Sequence, residues 1–564
     1  MKIFLIAVVA FGVSILSHAQ NVFSWAKHGG GNMNDDGAAV AVDTNGNVFV
    51  TGNFRTTSTF GHGEANQTAL VAFGQDVFLA KYNSAGNLQW ARQAKSQSGW
   101  GTGVGADNAG NSYLFGYFSG TITFADNETN EVMLSAAAND LFLAKYSTNG
   151  TFIWAKKAGG LFSENAHAMA TDTNGNCFIT GRFGSNPIIF APGETNETQV
   201  ASMDGNNGED IFVAKYNSGG VLQWAKRAGG PTGNRGTGIA LDAAGNSYVV
   251  GRYSTSSTFG PGESRQTTLN APLGGNDEAF VAKFATNGLL RWVRPSFGQA
   301  EHDQGNAIAV DAAGNSVIVG MVRGVSVYGE LMNQTQRDRG GSPDIFIMRH
   351  DTEGNQQFVR FAVGPSEEMA LGVAMDPEGN AYITGHAFTV IFGAEEAGQI
   401  ELNSLGSPDI FLAKIDPFGL THWARLDGGK GDDRGQAIAY GAGAVHVVGK
   451  FGQTATFGDG QANETALTFA GGSDMFVAKY TIAAPTNSVS AANFTGFALL
   501  PNSNPQLTIS GTAGAIYSIQ RTSTLINPTW NSAGTVTIPA GGTGTFEDTD
   551  ATLVFPAFYR AVGN

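Results

Sequence analysis

The sequence predicts an all-β chain: a seven-bladed β-propeller of four-stranded blades closed by an N-terminal outer strand, followed by a small C-terminal β-sandwich-like module. Two markers kept in phase carry the prediction, because a segment repeating every 66 residues or so (about 20 to 50 is commonest) builds one supersecondary unit per copy. The first is an aromatic at Trp25, Trp90, Trp154, Trp224, Trp292, Phe358 and Trp423, recurring at steps of 64 to 70 residues. The second is Asp76-Val-Phe-Leu-Ala-Lys-Tyr82, which returns from Asp140, Asp210, Glu278, Asp344, Asp409 and Asp474. A stripe of glycine and alanine on one strand of every copy then says how the copies are arranged.

Within one copy, Asp210–Tyr216, Val221–Lys226, Gly236–Asp242 and Asn246–Arg252 are rich in β-branched and aromatic residues and bounded by Gly, Asn or Asp. That is the pattern of short strands joined by tight turns. The Gly236–Asp242 type is the innermost strand of a blade, Asn246–Arg252 the second, Asp210–Tyr216 the third and Val221–Lys226 the outermost. Six residues before the end of each innermost strand stand Gly37, Gly101, Ala166, Gly236, Gly305, Ala370 and Gly435, and two residues later Ala39, Gly103, Ala168, Gly238, Ala307, Gly372 and Ala437. Large residues such as Val40, Val104, Met169 and Ile239 alternate with them. One face of this strand is therefore small throughout. Blades converging on an axis leave least room at the innermost strand, whereas a linear stack has no need of that asymmetry.

Asp43-Thr-Asn-Gly-Asn47 follows the first innermost strand, and relatives of it begin at Asp107, Asp172, Asp242, Asp311 and Asp376. The Asp accepts backbone hydrogen bonds and the Gly takes positive φ, which makes a hairpin turn. The seventh copy, Gly441-Ala-Gly-Ala-Val445, lacks the Asp, a loss that a turn tolerates better than a ligand set does.

Taken together, Asp-x-Phe-x-Ala-Lys, Gly-x-x-x-Trp and Gly-Asn-x-Tyr-Val-x-Gly in that order resemble the bacterial SBBP β-propeller repeat, over roughly residues 21 to 482. The resemblance implies a secreted or surface-exposed bacterial protein and transfers a fold without catalytic residues. The chain departs from the pattern by a longer insert between the second and third strands, as in Thr59-Phe-Gly-His-Gly-Glu64.

The array begins with an outermost strand, Val22–Lys27, and ends with a third strand, Asp474–Tyr480. Completing the last blade thus takes one strand from the N-terminal end and three from the other, which removes the open edges. Domain limits follow: residues 1–19 an export signal, 20–481 the propeller, 482–488 a linker, and 489–564 an immunoglobulin- or fibronectin-like module with alternating segments such as Gln506–Ser510 and Ile516–Gln520. The signal is read from Lys2, the apolar run Ile3–Leu16 and small residues before Gln20.

These features bound the function. A net charge of -15 disfavours nucleic acid and anionic membranes as partners. No later stretch is apolar enough for a transmembrane helix. The single cysteine, Cys177, allows no internal disulfide and occupies a strand position. No Gly-x-Ser-x-Gly elbow or His-Glu-x-x-His pair is present, so no catalytic or metal-binding residues are assigned. No cofactor is expected, calcium at the Asp-x-Asn-Gly-Asn turns being the one candidate, against which stands the missing downstream bidentate Glu.

A ligand site is expected where outermost strands connect to innermost ones, as an acidic mouth formed by Asp35, Glu164, Asp303, Glu368 and Asp433 with Glu301 and His302 beside Asp303. Loop capping is the competing reading of the same acids. The expected function is a secreted or cell-surface binding or structural scaffold presenting this face to protein or carbohydrate, with envelope attachment as one use of the C-terminal module. The alternative is an extracellular polysaccharide hydrolase or lyase with its site in that mouth.

Overall fold

The computed structural model describes residues 12–14, 21–203, 209–271, 277–295, 302–323, 326–328, 335–337, 343–394, 398–482, 493–500, 504–511, 516–522, 531–539, 541–549 and 558–563. Every regular element among them is a β-strand. The chain forms two compact units, Val22–Thr481 and a second made of Met1–Asn21 with Ile482–Asn564.

In the larger unit the predicted strand types recur in the predicted order. Met369–Met375 pairs with Ala381–Ala387, that strand with Asp409–Ile415, and that with Thr421–Gly429, all antiparallel. The innermost strands, Asp36–Val42, the second half of Leu88–Ala106, Glu164–Thr171, Thr232–Leu241, His302–Val310, Met369–Met375 and Arg434–Gly441, contact one another in cyclic order, the last returning to the first. The small stripe explains the close approach. A Cβ on Gly37 would lie 2.6 Å from Val448 of the preceding sheet, and one on Gly101 2.4 Å from Thr51 Oγ1. Each innermost strand also carries a β-bulge at the matching position, for example between Gly37 and Ala39, Ala166 and Ala168, and Gly435 and Ala437. The bulge turns the following small residue toward the other neighbour: a Cβ on Gly103 would meet Met169 at 2.8 Å.

The recurring aromatic rivets one sheet to the next. Trp90 Nε1 donates to Thr148 O at 3.2 Å, Trp224 Nε1 to Thr286 O at 3.0 Å and Trp292 Nε1 to Thr352 O at 3.1 Å, each acceptor being in the following sheet's outer turn. The glycine of that turn lies under the indole: Gly150 has φ +80 and a Cβ there would be 2.7 Å from Trp90. The recurring lysine is equally structural, with Lys145 Nζ 4.9 Å from the Tyr113 ring centroid and donating to Ser218 O at 3.1 Å.

The inserts form hairpin arms. Ser256–Phe259 and Thr267–Asn270 leave the sheet of Ser247–Ser254 and add to the outer edge of the preceding one, pairing Phe259 with Ala228. Several sheets thereby become six-stranded. Thr255, between sheet and arm, has φ +57. Asn-x-Thr triplets at Asn66, Asn196, Asn333 and Asn463 recur in the inserts, and Asn66 Nδ2 donates to Leu88 O at 3.0 Å and Asn196 Nδ2 to Leu222 O at 2.6 Å. Asn333 lies outside the described residues.

Asn21–Gly30 stands between Asp474–Ile482 and Val48–Phe60 in one sheet. Phe23 N donates to Gln461 Oε1 at 2.7 Å, and the Phe23 and Tyr480 rings meet edge-on at 5.6 Å. The N-terminal strand therefore completes the last sheet, which joins the two ends of the array.

In the second unit, Asn493–Leu499, Pro505–Ser510 and Thr543–Glu547 form one sheet, and Gly12–Ser14, Phe558–Gly563, Ile516–Thr522 and Asn531–Thr537 another. Leu507, Ile509, Tyr517, Ile519, Val536, Ile538 and Phe546 from both sheets share one core.

Candidate functional site

The predicted acidic mouth is corrected by the structure. Asp35, Glu164, Asp303, Glu368 and Asp433 are all fully buried. They turn inward because the loop amides need acceptors: Gly160 N donates to Glu164 Oε2 at 3.2 Å, while Gly429 N and Gly452 N donate to Asp433 at 2.7 and 2.9 Å. Each also faces the acid that begins a neighbouring third strand, Asp35 facing Asp474, Glu164 facing Asp140, Asp303 facing Glu278, Glu368 facing Asp344 and Asp433 facing Asp409.

Burial above all, reinforced by the second carboxyl group, pushes Asp35, Glu164 and Glu368 up to about 8 and Asp433 to about 7, and raises Asp303 well above its ordinary value. At neutral pH Asp35, Glu164, Asp303 and Glu368 are mainly protonated and Asp433 is shared between its two forms, so these groups are packing elements and not an exposed ring of charge. His302 is exposed and its Nδ1 lies 3.9 Å from Asp277, whereas Asp303 points inward, as strand alternation requires. Glu301 lies outside the described residues. The structure therefore does not bring His302 and Asp303 together as a catalytic pair.

The hairpin-turn aspartates are committed to their own turns. Asp43 Oδ1 accepts from Asn45 N and Asn47 N, both at 2.9 Å, and its Oδ2 accepts from Asn47 Nδ2 at 2.7 Å. Cys177 is free and fully buried, and burial pushes its thiol up, away from the reactive thiolate. An open depression of about 590 Å³ is lined by Asn66, Lys81, Trp90 and Arg92, side chains already bonded to backbone carbonyls.

A different location stands out because its residues do not repeat. The first residues of the innermost strands and their cross-strand partners surround one end of the ring: Asp36 with Asn53, Trp100 with Tyr117, Asn165 with Arg182, Arg235 with Arg252, Gln304 with Met321, Met369 with His386, and Arg434 with Lys450. Trp100 and Tyr117 stack at 4.7 Å with 11° between their planes. The Glu209 carboxylate takes the Arg182 guanidinium on one oxygen and Arg235 Nε at 2.9 Å on the other, and Asp277 takes Arg252. Burial, then repulsion from Arg235 and Arg252, holds the Arg182 guanidinium below its ordinary value. His167, on the bulge beneath, is lowered to about 3 by burial and by the three arginines, and is neutral. On the far side of the same end, Arg434 Nε pairs with Asp432 at 2.8 Å. This sector is absent from the sequence reading. Its signal was present as the columns in which the copies disagree.

No family model matches the chain. It is 23% identical over 505 residues to an uncharacterized WD repeat-containing protein of Acanthamoeba polyphaga mimivirus, covering 76% of this chain and 36% of that protein. The cyclic innermost strands and this relative together decide the architecture. The chain is a repeat β-propeller. A second relative, the regulatory protein FlaEY of Caulobacter vibrioides, is 28% identical over 185 residues, covering 32% of this chain and 18% of that protein. The chain thus spans well under two thirds of either relative's length. Among solved structures, a puromycin hydrolase mutant complexed with PGG aligns over 91% of the propeller chain and 62% of its own, at 12% identity and a TM-score of 0.36, which carries no argument. Among the described residues of the propeller chain, no helix is long and apolar enough to cross a membrane.

Proposed function

We propose that the chain is a seven-bladed, SBBP-type propeller with a C-terminal β-sandwich module, exported and used as a binding scaffold whose recognition face is the end of the ring bearing Trp100, Arg235 and their neighbours. The observation behind the choice of face is the contrast between columns. The riveting aromatics, their turn glycines and the buried acids recur around the ring, whereas this end carries aromatic, cationic, amide and thioether side chains in a different combination on each blade. A scaffold needs repetition for its interblade contacts and variety for recognition.

The polysaccharide hydrolase or lyase reading is weakened by the burial of Asp35, Glu164, Asp303, Glu368 and Asp433, since a group sealed beneath the loops meets no substrate. A screen of purified glycans and envelope proteins tests the binding reading, with Arg235→Glu as the disabling variant. Partners should bind the parent protein and be lost from the variant. Retention of every partner by the variant overturns the choice of face.

A further inference from the structure

One sector of this end is equipped for a particular chemistry. Three guanidinium groups, Arg182, Arg235 and Arg252, face two carboxylates, Glu209 and Asp277, which leaves one positive charge in excess on a chain of net charge -15. Their side chains keep between 19% and 31% of their surface exposed, so they remain within reach of a ligand. Arg252 Nε is buried without an acceptor, and on the adjoining bulges Thr102 Oγ1 and His167 Nε2 also lack partners. The corresponding bulge residues of the next two blades are satisfied, Thr237 donating to Gly305 O and Asn306 Nδ2 to Ala370 O at 2.8 Å. Unpartnered buried polar atoms are costly, and these three leave the strands beneath the cluster under-satisfied.

Glu209 shows what fits. Its carboxylate is held between two arginines, one oxygen to each, so the spacing of Arg182 and Arg235 already suits a planar carboxylate. The stacked Trp100 and Tyr117 begin the adjoining blade and offer an aromatic platform beside the cations. Planar cationic forks next to an aromatic stack match a sugar ring that carries a carboxylate.

We propose that this sector binds a uronate residue of an acidic polysaccharide, with the arginine cluster holding the carboxylate and the Trp100–Tyr117 stack supporting the pyranose ring. The assignment rests on the reading of this end as the recognition face. The partly exposed guanidinium groups of Arg182 and Arg235 are shared between Glu209 and the ligand.

Titration calorimetry on the full chain with alginate oligosaccharides tests it, with neutral dextran and dextran sulfate of matched length as comparators. Alginate should bind and dextran should not. Arg235→Gln and Trp100→Ala should each weaken alginate at least tenfold, while Arg265→Gln, on the exposed hairpin arm, leaves it unchanged. Trp100→Leu, which keeps the buried volume closer to the parent, should show the same loss if Trp100→Ala lowers the melting temperature.

Absence of alginate binding overturns the proposal. So does dextran sulfate binding as tightly with no effect of either Trp100 variant, which marks simple ion exchange. An envelope protein that binds the parent and is lost from Arg235→Glu, with no alginate binding, leaves the face and removes the sugar. Partners that all survive Arg235→Glu remove both.

Discussion

Gly150 lies beneath the Trp90 indole with φ +80, so two constraints converge on one atom. A methyl group there strains the backbone and also strikes the ring at 2.7 Å. Gly150→Ala should therefore destabilise the ring by more than about 1 kcal/mol, and Trp90→Ala by about 3 to 5 kcal/mol, both read from chemical denaturation. A loss below about 0.5 kcal/mol for Trp90→Ala would show that the indole is not a packing element. The recurring tryptophan was legible because it repeats. Its glycine partner was not, because the two belong to different copies.

The buried acids give a pH dependence of unusual sign. In the unfolded chain they lose their protons near pH 4, whereas in the ring Asp35, Glu164, Glu278 and Glu368 keep them to about pH 8. Their contribution is complete below pH 4 and is lost as pH rises through 8. The buried histidines oppose this at low pH: His167 and His446 are lowered to about 3 and His350 and His386 to about 4 by burial, so the unfolded chain takes up more protons below about pH 6.5. Above pH 6.5 the acids act alone. The melting temperature should fall between pH 6.5 and 8.5 by on the order of several degrees, and Glu164→Gln should flatten the fall. Asn234, fully buried in the matching place, is a natural amide in this role. These acids read as an exposed mouth in the sequence because a loop carboxyl looks the same whether it faces solvent or the chain's own amides.

At the scale of elements, the arms deal with the outer edges. An outermost strand such as Leu222–Gly229 would present unpaired backbone to solvent, and the arm Ser256–Asn270 covers its end while Lys226 pairs with Glu263 at 2.9 Å. Phe259 on the arm packs against Phe280 at 4.8 Å, which makes the arm part of the core and more than a loop. Replacing residues 255–271 with a short Gly-Ser turn should leave a folded ring of lower melting temperature that self-associates, seen as earlier elution and a concentration-dependent sedimentation coefficient. A monomer with the parent's melting curve would show that the edge needs no cover. The insert was visible in the sequence as a departure from the repeat. Where it docks was not, because the pairing joins residues about 30 positions apart across two copies. The arginine sector was missed for the opposite reason, since periodic reading discards whatever does not recur.

For the whole molecule, closure was legible from the phase of the array: an outermost strand at one end and a third strand at the other predict their pairing. Deleting Asn21 to His28 removes fully buried Phe23 and the strand between Asp474–Ile482 and Val48–Phe60. A sharp fall in melting temperature is expected, and an unchanged curve would disprove the closure. Contact across 438 residues also sets a timetable for biogenesis. The strand Asn21–Gly30 is made before the rest of the array but meets Asp474–Ile482 only after the array is complete.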